Sequence, residues 1–216
     1  GGFMTERLIR VVTPDEVEQQ VDDPNCFRIF KQTTTKNEYH IYLGEYIEEG
    51  SKYFTIFHEL DSVTAKDKVF FHLNNYGGDV SSGVQLLNKI KECSAPVTIC
   101  VEAPVYSMAS VLALAGHTIP LVSPHVFFMF HDYSGVEIGK GNEIHHSVVN
   151  FQNYFRTLLR TVCTPFLTKK EVASIIKGID LYVPYTTGLD KDGNEIKGIC
   201  ERLDEIKKLK KKKRVK

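Results

Sequence analysis

The sequence predicts an α/β domain, and three observations carry the prediction. Apolar runs of strand length alternate with runs of helical spacing through residues 40–180. Turn clusters rich in Gly, Asn, Asp and Pro separate them, at 74–79, 103–107 and 135–141. The chain has 216 residues, 42% of them hydrophobic and 25% charged, with no linker that would divide it. That is enough for one domain with a sizeable core.

The elements follow in order. A short helix is expected near 14–20, and His40-Ile41-Tyr42-Leu43 is a β-prone run ended by Gly44. Phe54, Phe57 and Leu60 fall roughly on one face of a helix over 53–60. Residues 68–73, Lys-Val-Phe-Phe-His-Leu, read as a buried strand that stops at the cluster Asn74-Asn75-Tyr76-Gly77-Gly78-Asp79. A helix over about 81–92 carries Val84, Leu87 and Ile90, and a second buried strand follows at 97–101. The turn Ala103-Pro104-Val105-Tyr106-Ser107 opens an apolar helix over 108–115. A third strand, 126–130, ends directly at His131. Ile144, Val148, Phe151, Phe155, Leu158 and Val162 recur three or four apart on a long amphipathic helix. Thr168 and Glu171 form a capping box for a helix ending at Gly178. Asp180 lies just beyond, and residues 190–194 are a hairpin tip.

The formal net charge is zero, but the last ten residues hold eight Lys or Arg and no acid, leaving a net of −8 on the first 206. So acidic a body argues against nucleic-acid binding by anything but the tail, expected to be a disordered, solvated end. Five scattered cysteines without a CxxC pair argue against a disulfide framework and a zinc ribbon, and suit a reducing, cytoplasmic compartment. No apolar run reaches membrane-spanning length, and the start lacks a signal-peptide layout. Gly1-Gly2-Phe3 reads as a cloning remnant, residues 4–206 as a single domain and 207–216 as the basic tail.

Three strand ends thus deliver a Gly-Gly turn, a serine at a helix start and a histidine. A serine hydroxyl attacks only when a base takes its proton, and His131 is of the right type. The tetrahedral intermediate needs backbone N–H groups aimed at its oxyanion. The first N–H groups of the helix after Ser107 are unpaired donors, and Gly77-Gly78 lets a second backbone approach without a Cβ in the way. Asp132, beside His131 on an extended chain, points to the opposite side and is poorly placed to hold that ring. His145 and His146, adjacent on a helix, do not converge on a metal.

These residues resemble the ClpP family, the proteolytic subunit of the ATP-dependent Clp protease, from about His40 to Asp180. Asn74-Asn75-Tyr76-Gly77-Gly78 stands where the family has Asn-Ser-Pro-Gly-Gly. Tyr106-Ser107-Met108-Ala109 stands for Ala-Ser-Met-Gly, and Met129-Phe130-His131 for Met-Ile-His. The resemblance implies a ClpP/crotonase-like spiral of ββα units with a protruding long handle helix. It implies a serine endopeptidase with Ser107 as nucleophile, His131 as base, Asp180 as the orienting acid, and Gly78 and Met108 as oxyanion donors. No metal or other cofactor is implied. The implied partners are polypeptide substrates, further copies of the chain in stacked heptameric rings, and an ATP-dependent unfoldase.

Tyr76 replaces the family's proline, Asp132 its usual glutamine, and 187–195 looks like an inserted hairpin. The first forty residues show no match to the family's axial-pore segment. The same architecture also serves crotonase-type acyl-CoA enzymes, which need no serine nucleophile, as well as capsid-maturation peptidases and non-catalytic ring subunits.

Overall fold

A computed structural model of the chain describes residues 29–33, 37–190 and 192–214. The helix expected at 14–20 and the axial-pore region before residue 29 lie outside the described residues.

A five-stranded sheet runs in the order β1-β2-β3-β4-β6. Its strands are β1 (Ile29–Thr33), β2 (Asn37–Ile47), β3 (Lys68–Gly78), β4 (Val97–Val101) and β6 (Leu121–Val122). β2, β3, β4 and β6 are mutually parallel, and β1 is an antiparallel edge. Helices α1 (Phe54–Ser62) and α2 (Val80–Glu92) make the crossovers that parallel pairing requires. Asp79 caps α2, its Oδ1 accepting the Ser82 N–H at 2.7 Å.

β3 is not buried on both faces, as its apolar run suggested. Val69, Phe71 and Leu73 are buried, while Phe70 and His72 on the other face are only half-buried. The strand also continues through the expected turn cluster to Gly78, because β2 stays paired with it past a bulge between Glu45 and Ile47.

A second, three-stranded sheet has the order β5-β7-β8, from β5 (Val105–Tyr106), β7 (Phe127–Phe130) and β8 (Leu181–Pro184). β5 and β7 are parallel, β7 and β8 antiparallel. Helix α3 (Met108–Leu112), buried throughout, leads off β5 and packs into the core that the two sheets share. Helix α4 (Gly141–Cys163) is amphipathic along its length, but only its second half, from Phe155, is buried. Val148 and Val149 are 41% exposed, and Val136 and Ile138 in the preceding loop are about 90% exposed at 89% and 93%. The apolar stripe therefore leaves the body as a projecting arm.

α5 (Lys169–Ile175) starts at the expected capping box: Thr168 Oγ1 accepts the Glu171 N–H, and Glu171 accepts the Thr168 N–H at 2.7 Å. Gly178, at φ 84°, takes the left-handed turn that ends this segment. β9 (Gly188–Leu189) and β10 (Glu195–Ile196) form the expected hairpin around 190–194.

The basic end corrects the expectation of an irregular tail. α6 (Ile199–Arg214) runs into it as far as Arg214. Buried Ile199 and Leu203 anchor its first turns, lysine is a good helix former, and positive charge suits a helix C-terminus.

Candidate active site

β7 ends at Phe130, so His131 follows at its C-terminal end. β5 ends at Tyr106 in parallel register with Met129, which puts Ser107 beside that end. β8 runs antiparallel with Leu181 opposite Phe130, so the next position outward sets Asp180 across from His131. Three strands thereby deliver Ser107, His131 and Asp180 to one end of one small sheet, in that spatial order.

Ser107 sits at φ 55° and ψ −129°. Backbone of this kind is sparsely populated by non-glycine residues and stores about 1–3 kcal/mol. Three contacts hold it there. The Ser107 N–H donates to the Met129 carbonyl at 2.8 Å. The fully buried Ser110 places its hydroxyl within 3.0 Å of the Val105 carbonyl and 2.8 Å of the Met129 carbonyl, tying β5, α3 and β7 together. The Met108 side chain is buried against Gly83 of α2, where a Cβ would overlap it.

The two glycines of the turn have different tasks. At Gly77, φ +85°, an added Cβ would lie 2.7 Å from the Ser107 Cβ, 2.7 Å from the Tyr106 carbonyl and 3.1 Å from the Met108 nitrogen. At Gly78, φ +144°, it would overlap the backbone of Ile47 on β2 instead. Gly77 is thus the residue pressed against the serine, and Gly78 the one that keeps β2 and β3 close. Asn75, only 2% exposed, fixes this turn: its amide donates to the Gly44 carbonyl at 2.9 Å and its Oδ1 accepts the Gly77 N–H at 2.8 Å.

Ser107 and His131 are half-buried and Asp180 is exposed. Among the described residues no hydrogen bond joins Ser107 to His131, or His131 to Asp180. Register rather than contact brings the three together. Asp132 is half-buried next to His131 and Arg156. Burial pushes its carboxyl up, against the Tyr133 N–H and the nearby His131 and Arg156, which pull it down.

A strained serine between a strand and a buried helix, a glycine packed on its Cβ and a histidine on the adjoining strand make a constellation fit for acyl transfer. The model of the Clp protease family matches residues 23–180. The chain belongs to that family. Membership makes it a peptidase of the Clp type with the Clp protease fold, and the match takes in residues 23–40, where direct reading of the motifs found no resemblance.

Asn75, Ser110 and Gly83 are supports of the site that sequence reasoning did not single out by role, while Gly77 was expected only to share with Gly78 the close approach of a backbone N–H. Asn75 and Gly77 stood within the quoted motif. Nothing in the sequence distinguishes Ser110 or Gly83 from an ordinary helical residue. Among the described residues no three His, Cys, Asp or Glu side chains gather to hold a metal, and no helix is long and apolar enough to cross a membrane.

Proposed function

We propose that the protein is a serine endopeptidase that cleaves unfolded polypeptides through an acyl-enzyme. The observation that carries this reading is the strained Ser107, packed against Gly77 at the sheet end that also bears His131 and Asp180. In this reading His131 takes the Ser107 proton as Oγ attacks the scissile carbonyl, then returns it to the leaving amine. Asp180 holds the imidazole tautomer and stabilises the imidazolium. The N–H groups of Gly78 and Met108 receive the oxyanion, with Met108 as the first residue of α3, where no helical acceptor precedes it. Water then attacks the ester by the same proton route, and no metal or organic cofactor takes part.

Proteins of this family form oligomeric rings that work with Clp ATPases, and we extend this to the present chain as a homo-oligomer. The projecting half of α4, with Val148 and Val149 exposed beside Val136 and Ile138, supports a contact between rings, since so large an apolar arm is costly to leave in water. Replacing Ser107 by alanine tests the chemistry: peptide hydrolysis should vanish while native mass stays unchanged. Persistent hydrolysis in that variant would refute the assignment.

A further inference from the structure

Away from the Ser107 end, the open face of the five-stranded sheet carries a relay assembled from three strands. Glu102, just past β4, lies 2.6 Å from His72 Nδ1 on β3. His72 Nε2 lies 2.9 Å from His40 Nδ1 on β2. Tyr42 stacks on the His72 ring at 4.3 Å and Phe70 on the His40 ring at 5.0 Å, so each imidazole packs against an aromatic neighbour.

A carboxylate only accepts, so Glu102 fixes the proton of His72 on Nδ1 and leaves a lone pair on Nε2. A carboxylate behind an imidazole in this way is the usual outer partner of a metal-bound histidine, orienting the ring and raising its basicity. Glu38, the other acid near His40, is engaged by Lys68 at 2.7 Å. Cys100, the register partner of His72 on β4, is buried.

We propose that His40 Nδ1 and His72 Nε2 form a bidentate site for a divalent transition-metal ion of the Cu2+ or Ni2+ type. Two imidazole nitrogens with no thiolate beside them suit this class of ion. With metal–nitrogen bonds of about 2.0–2.1 Å, two ligands at a right angle are about 2.9 Å apart, so exchanging the 2.9 Å hydrogen bond between the rings for the ion asks for little change in their separation.

On binding, His40 shifts its proton from Nδ1 to Nε2 through solvent, and both rings turn their lone pairs to the cation. Water fills the other positions, since no third ligating side chain among the described residues converges there. The ion ties β2 to β3 three residues before Asn75.

Titration of the full chain with Ni2+ alone, at about pH 7.5 where imidazoles are neutral, tests this. About one equivalent is expected with micromolar affinity, weakened about tenfold or more in Glu102→Gln, the range for loss of an outer partner. His40→Gln and His72→Gln should each abolish saturable uptake, while a His145→Gln/His146→Gln double variant on α4 keeps it. Cu2+ loaded at one equivalent should show two-nitrogen coupling by paramagnetic resonance, reduced to one or none in His40→Gln. Circular dichroism checks each variant's fold; should His72→Gln unfold, His40→Gln decides alone. No saturable uptake by the wild type, or unchanged uptake in His40→Gln, would overturn the proposal.

Discussion

Two groups of polar side chains in this molecule are built on opposite plans. Between α5 and α6, Arg202 is 6% exposed and every arm of its guanidinium is engaged. It donates to both Glu171 carboxylate oxygens at 3.1 and 2.6 Å, and to the carbonyls of Phe166 and Lys197 at 2.7 Å each. Its cation also lies 5.4 Å above the Phe166 ring. At the end of the three-stranded sheet the reverse holds. Ser107 is held by its backbone in a conformation it does not favour, and the side chains of Ser107, His131 and Asp180 make no hydrogen bonds to one another. Saturated polar groups fix one geometry and are structural; on the proposed reading, the groups brought to one sheet end without pairing keep their capacity for a substrate.

The largest effect that sharpens this contrast belongs to Ser107→Ala, where turnover should fall about 10⁶-fold with no loss of thermal stability, the loss in turnover being that of a serine peptidase stripped of its nucleophile. Asp180→Asn comes next, with a fall of about 10⁴-fold in kcat from the loss of the correct tautomer. The companion Asp132→Asn should change kcat less than about tenfold; a larger loss there than at Asp180 would reassign the acid. Gly77→Ala should reduce kcat about 10²-fold, because the new methyl displaces Ser107 by a fraction of an ångström to an ångström.

On the other side of the comparison, Arg202→Ala should lower stability by about 3–5 kcal/mol, read by denaturant unfolding, because it strands a half-buried carboxylate. Below the unfolding temperature the peptidase activity of this variant should be retained.

The smallest effect is one of pH. Burial raises the Glu171 carboxyl, but the Arg202 fork and the Thr168 N–H outweigh it and hold the group below the ordinary glutamate range. A depressed folded value means that the stabilisation is complete above the unfolded value, about 4.3, and is lost as pH falls through the lower folded value. Wild type should therefore lose stability in that acid window, and Glu171→Gln should show a shallower loss there.

The sequence revealed the site better than its supports. Strand β7, the long helix, the Thr168–Glu171 cap, and the order of Ser107 and His131 were all legible, because each rests on local periodicity or a local motif. β5 and β6, two residues each, are too short to show a period. The different tasks of Gly77 and Gly78 depend on which neighbour, Ser107 or Ile47, each backbone meets across the fold. The Arg202–Glu171 clamp and the His40–His72–Glu102 relay join residues about 30 positions apart, at separations of 30 to 32. Such pairs are created by topology, and no window along the chain contains them. The basic end is exposed as expected over 207–212 but helical rather than disordered as far as Arg214, because buried Ile199 and Leu203 commit the helix that continues into it.

Labelling the wild-type protein with a fluorophosphonate and mapping the adduct by peptide mass spectrometry tests the central claim most directly. The account predicts a single modified residue, Ser107, with labelling suppressed in His131→Ala. An adduct elsewhere with Ser107 untouched, or no adduct on the folded and assembled protein, would contradict it.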